Sequence, residues 1–304
     1  MRYRISHTTK YAYADPVAVC HNLVRLAPRN DPWQQLRGYR LVVSPEPTDP
    51  CQRADLFGNQ VDYFSIQDAH WGLSVTAVSE LEVAARPTPE QTPPWQQVRE
   101  HLHAAQSHSA RAAYRFAFDS PLVPNNHRLR DYAAESFPAG RPILAATREL
   151  TTRIYNDFEY DPRATTVTTP VMQVFEQRAG VCQDFAHVQI ACLRSLGLAA
   201  KYVSGYLRTI PPKGKERLVG ADASHAWLSI CCGESGDNNL TWVDFDPTND
   251  MIPTTDHVRI AVGRDYRDVC PIQGVFVGGG QHTMAVSVDV APIHQPVEAE
   301  ASDA

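Results

Sequence analysis

Between Arg86 and Pro94 the chain carries four prolines in nine residues, and the patterns on its two sides belong to different kinds of structure. Proline fixes φ and lacks an amide hydrogen, so this stretch predicts a stiff, extended linker over 87–94 and a domain boundary. Before it, Tyr3/Ile5, Tyr11/Tyr13, Tyr39 to Val43, Val61 to Ile66 and Val75 to Val83 are β-branched and aromatic runs separated by Pro, Gly, Asn and Asp. They predict an all-β domain over 1–86, a small sandwich or barrel. After it, Trp95, Val98, Leu102 and Ala105 keep helical spacing, as do Leu144, Thr147, Leu150, Ile154 and Phe158. Both sets predict core-packing helices, and the chain reads as α+β, with a second domain over 95–290 and a flexible acidic tail over 291–304.

The stretch Gly180-Val181-Cys182-Gln183-Asp184-Phe185-Ala186-His187 sets a cysteine between a glycine hinge and an amphipathic helix. Phe185, Val188, Cys192 and Leu196 recur at spacings of three and four, and Gly197 supplies a stop. Thr169-Pro170 fits the N-cap and first turn of a preceding helix that delivers the chain to Gly180. A thiol in a first helical turn meets unpaired N–H groups and the positive end of the macrodipole, which favour the thiolate and can hold an oxyanion. A lone cysteine is more often a buried, inert one, so the reading needs a base downstream.

Ser224-His225-Ala226-Trp227 opens a strand-like run, and Leu240 to Asp246 reads as its hairpin partner across the turn segment Gly233 to Asn239. If Cys232 pairs with Asn239, His225 faces Asp246 and Asp244 faces Trp227. Asp246 is then the orienter of the imidazole, and a slip of two residues would select Asp244 instead. Each residue also has an ordinary reading: a hydrogen-bonded strand histidine, and an aspartate opening the turn Asp246-Pro247-Thr248-Asn249.

With these residues in order, the chain resembles the transglutaminase-like superfamily, a branch of the papain-like cysteine enzymes. The resemblance rests on Gly180 to Ala186, Ala200-Lys201-Tyr202-Val203-Ser204-Gly205-Tyr206, Ser224 to Trp227, and Trp242-Val243-Asp244-Phe245-Asp246-Pro247-Thr248-Asn249. Asp55-Leu56-Phe57-Gly58-Asn59 resembles the N-terminal region that precedes the thiol domain in bacterial relatives. The resemblance implies a helix carrying the cysteine packed on an antiparallel sheet carrying His and Asp, and a triad of Cys182, His225 and Asp246. Animal transglutaminases place a tryptophan upstream of the cysteine, and none lies between Trp95 and Cys182. Tyr160 resembles the upstream aromatic position of the bacterial relatives and is a candidate for the oxyanion site; the alternative is a tyrosine that ends a helix and packs on the core. Gln183 and His187 are further cleft candidates, His187 also reading as a helix-surface or core residue.

The net charge of −6 and pI near 6.0 argue against nucleic acid or an anionic membrane as the main partner. No signal-peptide pattern opens the chain and no run of 18 apolar residues occurs, so a cytoplasmic location is expected. Seven cysteines without framework spacing predict free thiols, with Cys231 and Cys232 packing on opposite faces of a strand. His101, His103 and His108 lie on or near one polar helical segment, but His101 and His103 do not share a face, and neither a metal site nor a cofactor motif is expected. Met284, Val286, Val288 and Val290 predict a late strand after the flexible Gly278-Gly279-Gly280, and the loop Thr209 to Asp222 is a candidate gate.

The expected chemistry is acyl transfer through a thioester, with peptide or isopeptide hydrolysis first and transamidation to an amine second. The partner would be a peptide or protein with an amide bond; oligomeric state has no signature in the sequence. A non-catalytic scaffold or binding module is the competing class. Thiol acyl transfer in the manner of arylamine acetyltransferases shares the triad but not the layout.

Overall fold

The first strand, β1 (Arg2–Val24), is 23 residues long and organises everything around it. A computed structural model describes residues 1–209, 223–234 and 240–293. β1 is followed by β2 (Gln34–Ser44), β3 (Thr48–Ala54), β4 (Gln60–Ile66) and β5 (His70–Val83). Residues 2–12 of β1 pair with β5, and residues 20–24 pair with β4. β2 and β3 add to β5 and β4, giving the order β2-β5-β1-β4-β3. The ladder breaks between Ala12 and Val17, around Pro16, where a residue without an N–H belongs at an irregularity. There the sheet curls over a core of Tyr13, Val17, Phe64, Ile66, Leu73 and Val75.

The helical layer contains α1 (Trp95–Ala104), α2 (His108–Tyr114), α3 (His127–Ala134) and α4 (Ile143–Asp157). Next come β6 (Glu159–Tyr160), α5 (Val171–Gln177), β7 (Ala179–Gly180) and α6 (Cys182–Ser195). The proline-rich stretch is tied down instead of spanning free space: Ile143 N–H bonds to Pro93 O at 3.0 Å and Leu144 N–H to the Thr92 hydroxyl at 3.2 Å. Pro170 stands at the N-cap of α5 and not in its first turn.

A second antiparallel sheet follows, in the order β10-β9-β8-β11. Its strands are β8 (Ala200–Leu207), β9 (Ala223–Glu234), β10 (Leu240–Phe245) and β11 (His257–Gly263). The helices pack on one face of it, in a core that includes Leu150, Ile154, Phe185, Ile190, Tyr202 and Phe245. The N-terminal sheet packs through a separate cluster: Tyr3, Ile5, Leu81 and Val83 meet Tyr206, Val258 and Ile260. Two buried carboxamides join the sheets further. Asn59 donates to Val262 O and accepts from Val262 N–H, both at 2.8 Å; Gln34 does the same for Arg259, at 2.7 and 2.8 Å. Each amide side chain thus takes the place of a neighbouring strand along β11.

After the short α7 (Tyr266–Val269), β12 (Ile272–Gly278) and β13 (His282–Pro292) return to β1. They pair with residues 17–24 and 3–13 of β1 in one continued antiparallel ladder, interrupted where Gly278, Gly279 and Gly280 take positive φ opposite the bend in β1. The late strand around Met284 exists, but it completes the N-terminal sheet, because the open edge of β1 and not sequence proximity selects its partner. The candidate gate at 210–222, the turn residues 235–239 and the tail from 294 onward lie outside the described residues. No helix among the described residues is long and apolar enough to cross a membrane.

Candidate active site

Cys182 is the first residue of α6, and its position is set locally by two neighbours. The Asp184 carboxylate turns back to accept the Val181 N–H at 2.9 Å and the Thr165 hydroxyl at 2.6 Å, capping the helix start where Val181 has no polar side chain. A side chain at Gly180 would meet Asp184 Oδ2 at 2.6 Å, so glycine is required there. The sequence reads α6 as amphipathic; in the structure it is buried all round from Gln183 to Arg194. Its polar side chains find partners inside the protein: Gln189 donates to the Thr151 hydroxyl, and the Arg194 guanidinium donates to the carbonyls of Phe116, Ala200 and Arg264. A helix held on every side offers a fixed platform for a nucleophile.

His225 lies near the start of β9, lines the same cleft as Cys182, and is hydrogen-bonded to Asp246. Its Nε2 stands 2.7 Å from Asp246 Oδ2, which leaves Nδ1 as the nitrogen available to the thiol. Burial would depress the imidazole, but the hydrogen bonds to Asp246 and Cys182 and their charges outweigh it and raise its pKa from 6.5 to about 10. Asp246 is fully buried. Burial would raise its carboxyl, but the hydrogen bonds from His225 and His257 hold it well below the usual carboxylate range.

The Asp246 carboxylate is saturated with donors. Oδ1 accepts the N–H groups of Thr248 and Asn249, at 3.0 and 3.3 Å. Oδ2 takes His225, the Asn249 amide at 2.7 Å, and Nε2 of His257 at 3.1 Å. His257, at the start of β11, escapes the sequence reading. Its one signal is a polar residue opening the strand-like run Val258-Arg259-Ile260-Ala261-Val262. Its Nδ1 accepts the Thr254 N–H at 3.4 Å, which fixes the proton on Nε2 and makes it a donor to Asp246.

The structure brings Cys182, His225 and Asp246 together and sets Asp244 apart. Asp244 accepts from Trp227 Nε1 at 2.9 Å and pairs with Arg259, an arrangement that anchors the buried indole. Gln183 donates to Val167 O at 3.1 Å and lines the cleft. The N–H groups of Cys182 and Gln183, in the first turn of α6, have no carbonyl partner within the helix. Tyr160 pairs with Gly180 across β6 and β7 and is 54% exposed, so it does not pack on the core. Burial, then the neighbouring Cys182, raise its pKa. His187 is buried against Tyr202, its Nε2 accepts the Tyr266 N–H at 3.1 Å, and burial pushes it down to about 4.

The ligand atoms of His225, Asp246 and His257 lie within 4.8 Å of one another. They could close on a divalent cation only by giving up the hydrogen bonds to Asp246. All seven cysteines are free. The cleft before Cys182 has a volume of about 270 Å³ and is walled by both sheets, with β1 and β13 on one side and Cys182, Tyr202 and His225 on the other.

Comparison with known proteins agrees with this layout. Residues 3–82 match the bacterial transglutaminase-like N-terminal region, and residues 130–247 match the transglutaminase-like superfamily. The uncharacterized protein Rv2569c of Mycobacterium tuberculosis is 38% identical over 297 residues, which span 96% of this chain and 93% of that protein. The uncharacterized protein ML0607 of Mycobacterium leprae is 30% identical over 300 residues, 95% of this chain and 98% of that one. A solved structure of a proposed cysteine protease from Cytophaga hutchinsonii shares the fold, with a TM-score of 0.73 at 20% identity over 97% of this chain and 92% of that one. A helix-borne cysteine beside a histidine strand, preceded by the matching N-terminal sheet and shared with full-length relatives, places the chain in the transglutaminase-like superfamily.

Proposed function

We propose that the protein is a cysteine-dependent acyl-transfer enzyme that hydrolyses amide bonds, peptide or isopeptide. The observation that carries the reading is the cleft that holds Cys182 beside His225, with Nε2 of His225 committed to the Asp246 carboxylate. The proton shared by Cys182 and His225 rests on the imidazole, and the sulfur attacks the carbonyl carbon as the thiolate. The oxyanion forms beside the N–H groups that begin α6. Collapse breaks the C–N bond, and His225 gives its proton to the departing amine. Water then attacks the thioester with His225 as base, releasing the acid and restoring the starting pair. Asp246 holds the imidazole in one tautomer and offsets its charge.

Hydrolysis is preferred to transamidation because, among the described residues, no carboxylate lines the cleft to receive a cationic amine acceptor. The name of the Cytophaga hutchinsonii protein supports the same choice. The free thiols support a reducing compartment, the cytoplasm, as the location.

The test is iodoacetamide labelling at pH 6, read by peptide mass spectrometry. Cys182 should react at least about tenfold faster than the other cysteines, and His225→Ala should remove the advantage. Labelling of Cys182 at the common rate, indifferent to His225, would leave a scaffold that has kept the fold without the chemistry.

A further inference from the structure

The wall of the cleft that faces Cys182 comes from the first and the last of the described strands. Thr9 and Tyr11 of β1 and Met284 and Val286 of β13 line it. Tyr11 is the ladder partner of Met284, and Thr9 of Val286, so the four side chains form one contiguous patch on a single face. Met284 is 60% exposed and Val286 50%. Apolar side chains left open beside a reactive thiol mark a surface that is covered when a ligand binds.

The chemistry of the cleft narrows what covers it. Among the described lining residues none is Asp, Glu, Lys or Arg. The polar groups at its back already have partners: His7 Nδ1 meets the Tyr206 hydroxyl at 2.7 Å, and Nε2 meets the Thr9 hydroxyl at 3.1 Å. Burial pushes His7 down to about 4, so the wall is uncharged at neutral pH. A charged side chain entering here would lose water and gain no partner. The cleft volume of about 270 Å³ lies below the ~300–1,000 Å³ typical of sites for whole small molecules. It suits one side chain of a longer substrate.

We propose that Thr9, Tyr11, Met284 and Val286 form the specificity pocket of the cleft, and that it receives an uncharged apolar or aromatic side chain of the acyl donor. This assignment rests on the acyl-transfer reading of Cys182. It gives the N-terminal sheet a direct part in choosing the substrate.

Two affinity labels that differ in one side chain test it: N-tosyl-phenylalanyl and N-tosyl-lysyl chloromethyl ketone. Their rates at Cys182 are each divided by the iodoacetamide rate of the same protein, which removes differences in the thiol itself. The phenylalanyl label should react about tenfold faster or more, the gain expected from burying one aromatic side chain. Met284→Asp, and independently Val286→Asp, should shrink that ratio at least about fivefold by placing a carboxylate where the lysyl ammonium would lie. Both side chains are half-exposed or more, so neither change opens the core. Equal rates for the two labels, or a preference unmoved by both substitutions while iodoacetamide labelling stays fast, would overturn the pocket and leave the nucleophile standing. Slow iodoacetamide labelling of wild-type Cys182 would overturn the nucleophile and the pocket with it.

Discussion

Asp246 is hydrogen-bonded to His225 at 2.7 Å although the two are not partners in the β9–β10 ladder. Phe245 pairs with Leu228 and Asp244 with Ser229, and continuing that register sets Asp246 opposite Trp227. The carboxylate reaches His225 on the diagonal, from a turn closed by the bridge between Asp246 and Met251. The turn then supplies two backbone N–H groups to the other oxygen, so the carboxylate cannot rotate away.

Replacing Asp246 by Asn keeps its shape but supplies an amide that cannot fix the same tautomer. Turnover of any amide substrate cleaved by the wild type should fall on the order of 10³–10⁴-fold. Asp246→Ala strands several buried donors and should also lower stability by about 3–5 kcal/mol, read from urea denaturation. An Asn variant with near wild-type turnover would remove Asp246 from the reaction.

His257 touches no reacting atom in this arrangement and acts through Asp246. His257→Phe loses one hydrogen bond to a charged acceptor, about 1.5–3 kcal/mol, so kcat should drop about tenfold or more. KM should stay within about twofold, and His257→Gln, which keeps a donor, should recover part of the loss. Steady-state kinetics of the two variants decide the matter: equal losses in both would assign His257 a packing role only.

The charged pair gives stability a pH signature. The folded-state pKa of His225, about 10, lies above its unfolded value of about 6.5, so its contribution is complete below pH 6.5 and is lost as pH rises toward 10. Asp246 is shifted the other way: its contribution is present above about pH 4 and is lost as the solution becomes more acid. Lys201, pushed down to about 7 by burial, tilts the curve oppositely above neutrality, so the informative quantity is a difference between proteins. The Tm advantage of wild type over His225→Phe should be largest between about pH 4 and 6.5 and should shrink toward pH 10. A constant difference across that range would contradict the ion pair.

Asn59 should carry stability out of proportion to its size. Asn59→Ala leaves the N–H and C=O of Val262 without partners at a buried position, a cost of about 2–4 kcal/mol. Denaturant midpoints measure it, and a loss under about 1 kcal/mol would mean that water replaces the amide there.

The sequence states the site in its order of residues but not in its contacts. The helix beginning at Cys182 and the strands carrying His225 and Asp246 follow from local periodicity and breakers. The hairpin register does not. β9 runs on through Gly233, at φ 101°, to Glu234, and the irregularity between Leu240 and Trp242 shifts the pairing by two residues from the expected one. Asp246 still reaches His225 because its carboxylate leans along the strand. His257 is a single histidine before an apolar run, with nothing local to distinguish it from any strand opener. The pairing of β13 with β1 joins residues such as Tyr3 and Pro292, and periodicity carries no information about a partner so remote. The motif Asp55 to Asn59 announces a turn, whereas its part in tying Val262 is visible only when the sheets are packed.

The ladder between β1 and β13 also sets an order of events during synthesis. Cys182, His225 and Asp246 leave the ribosome before residues 282–292, so the thiol helix and its histidine strand can form while the wall bearing Met284 and Val286 is still missing. On the proposed reading, a nascent chain therefore holds the thiol without the surface that would retain a substrate beside it, and substrate selection arrives only once β13 has emerged.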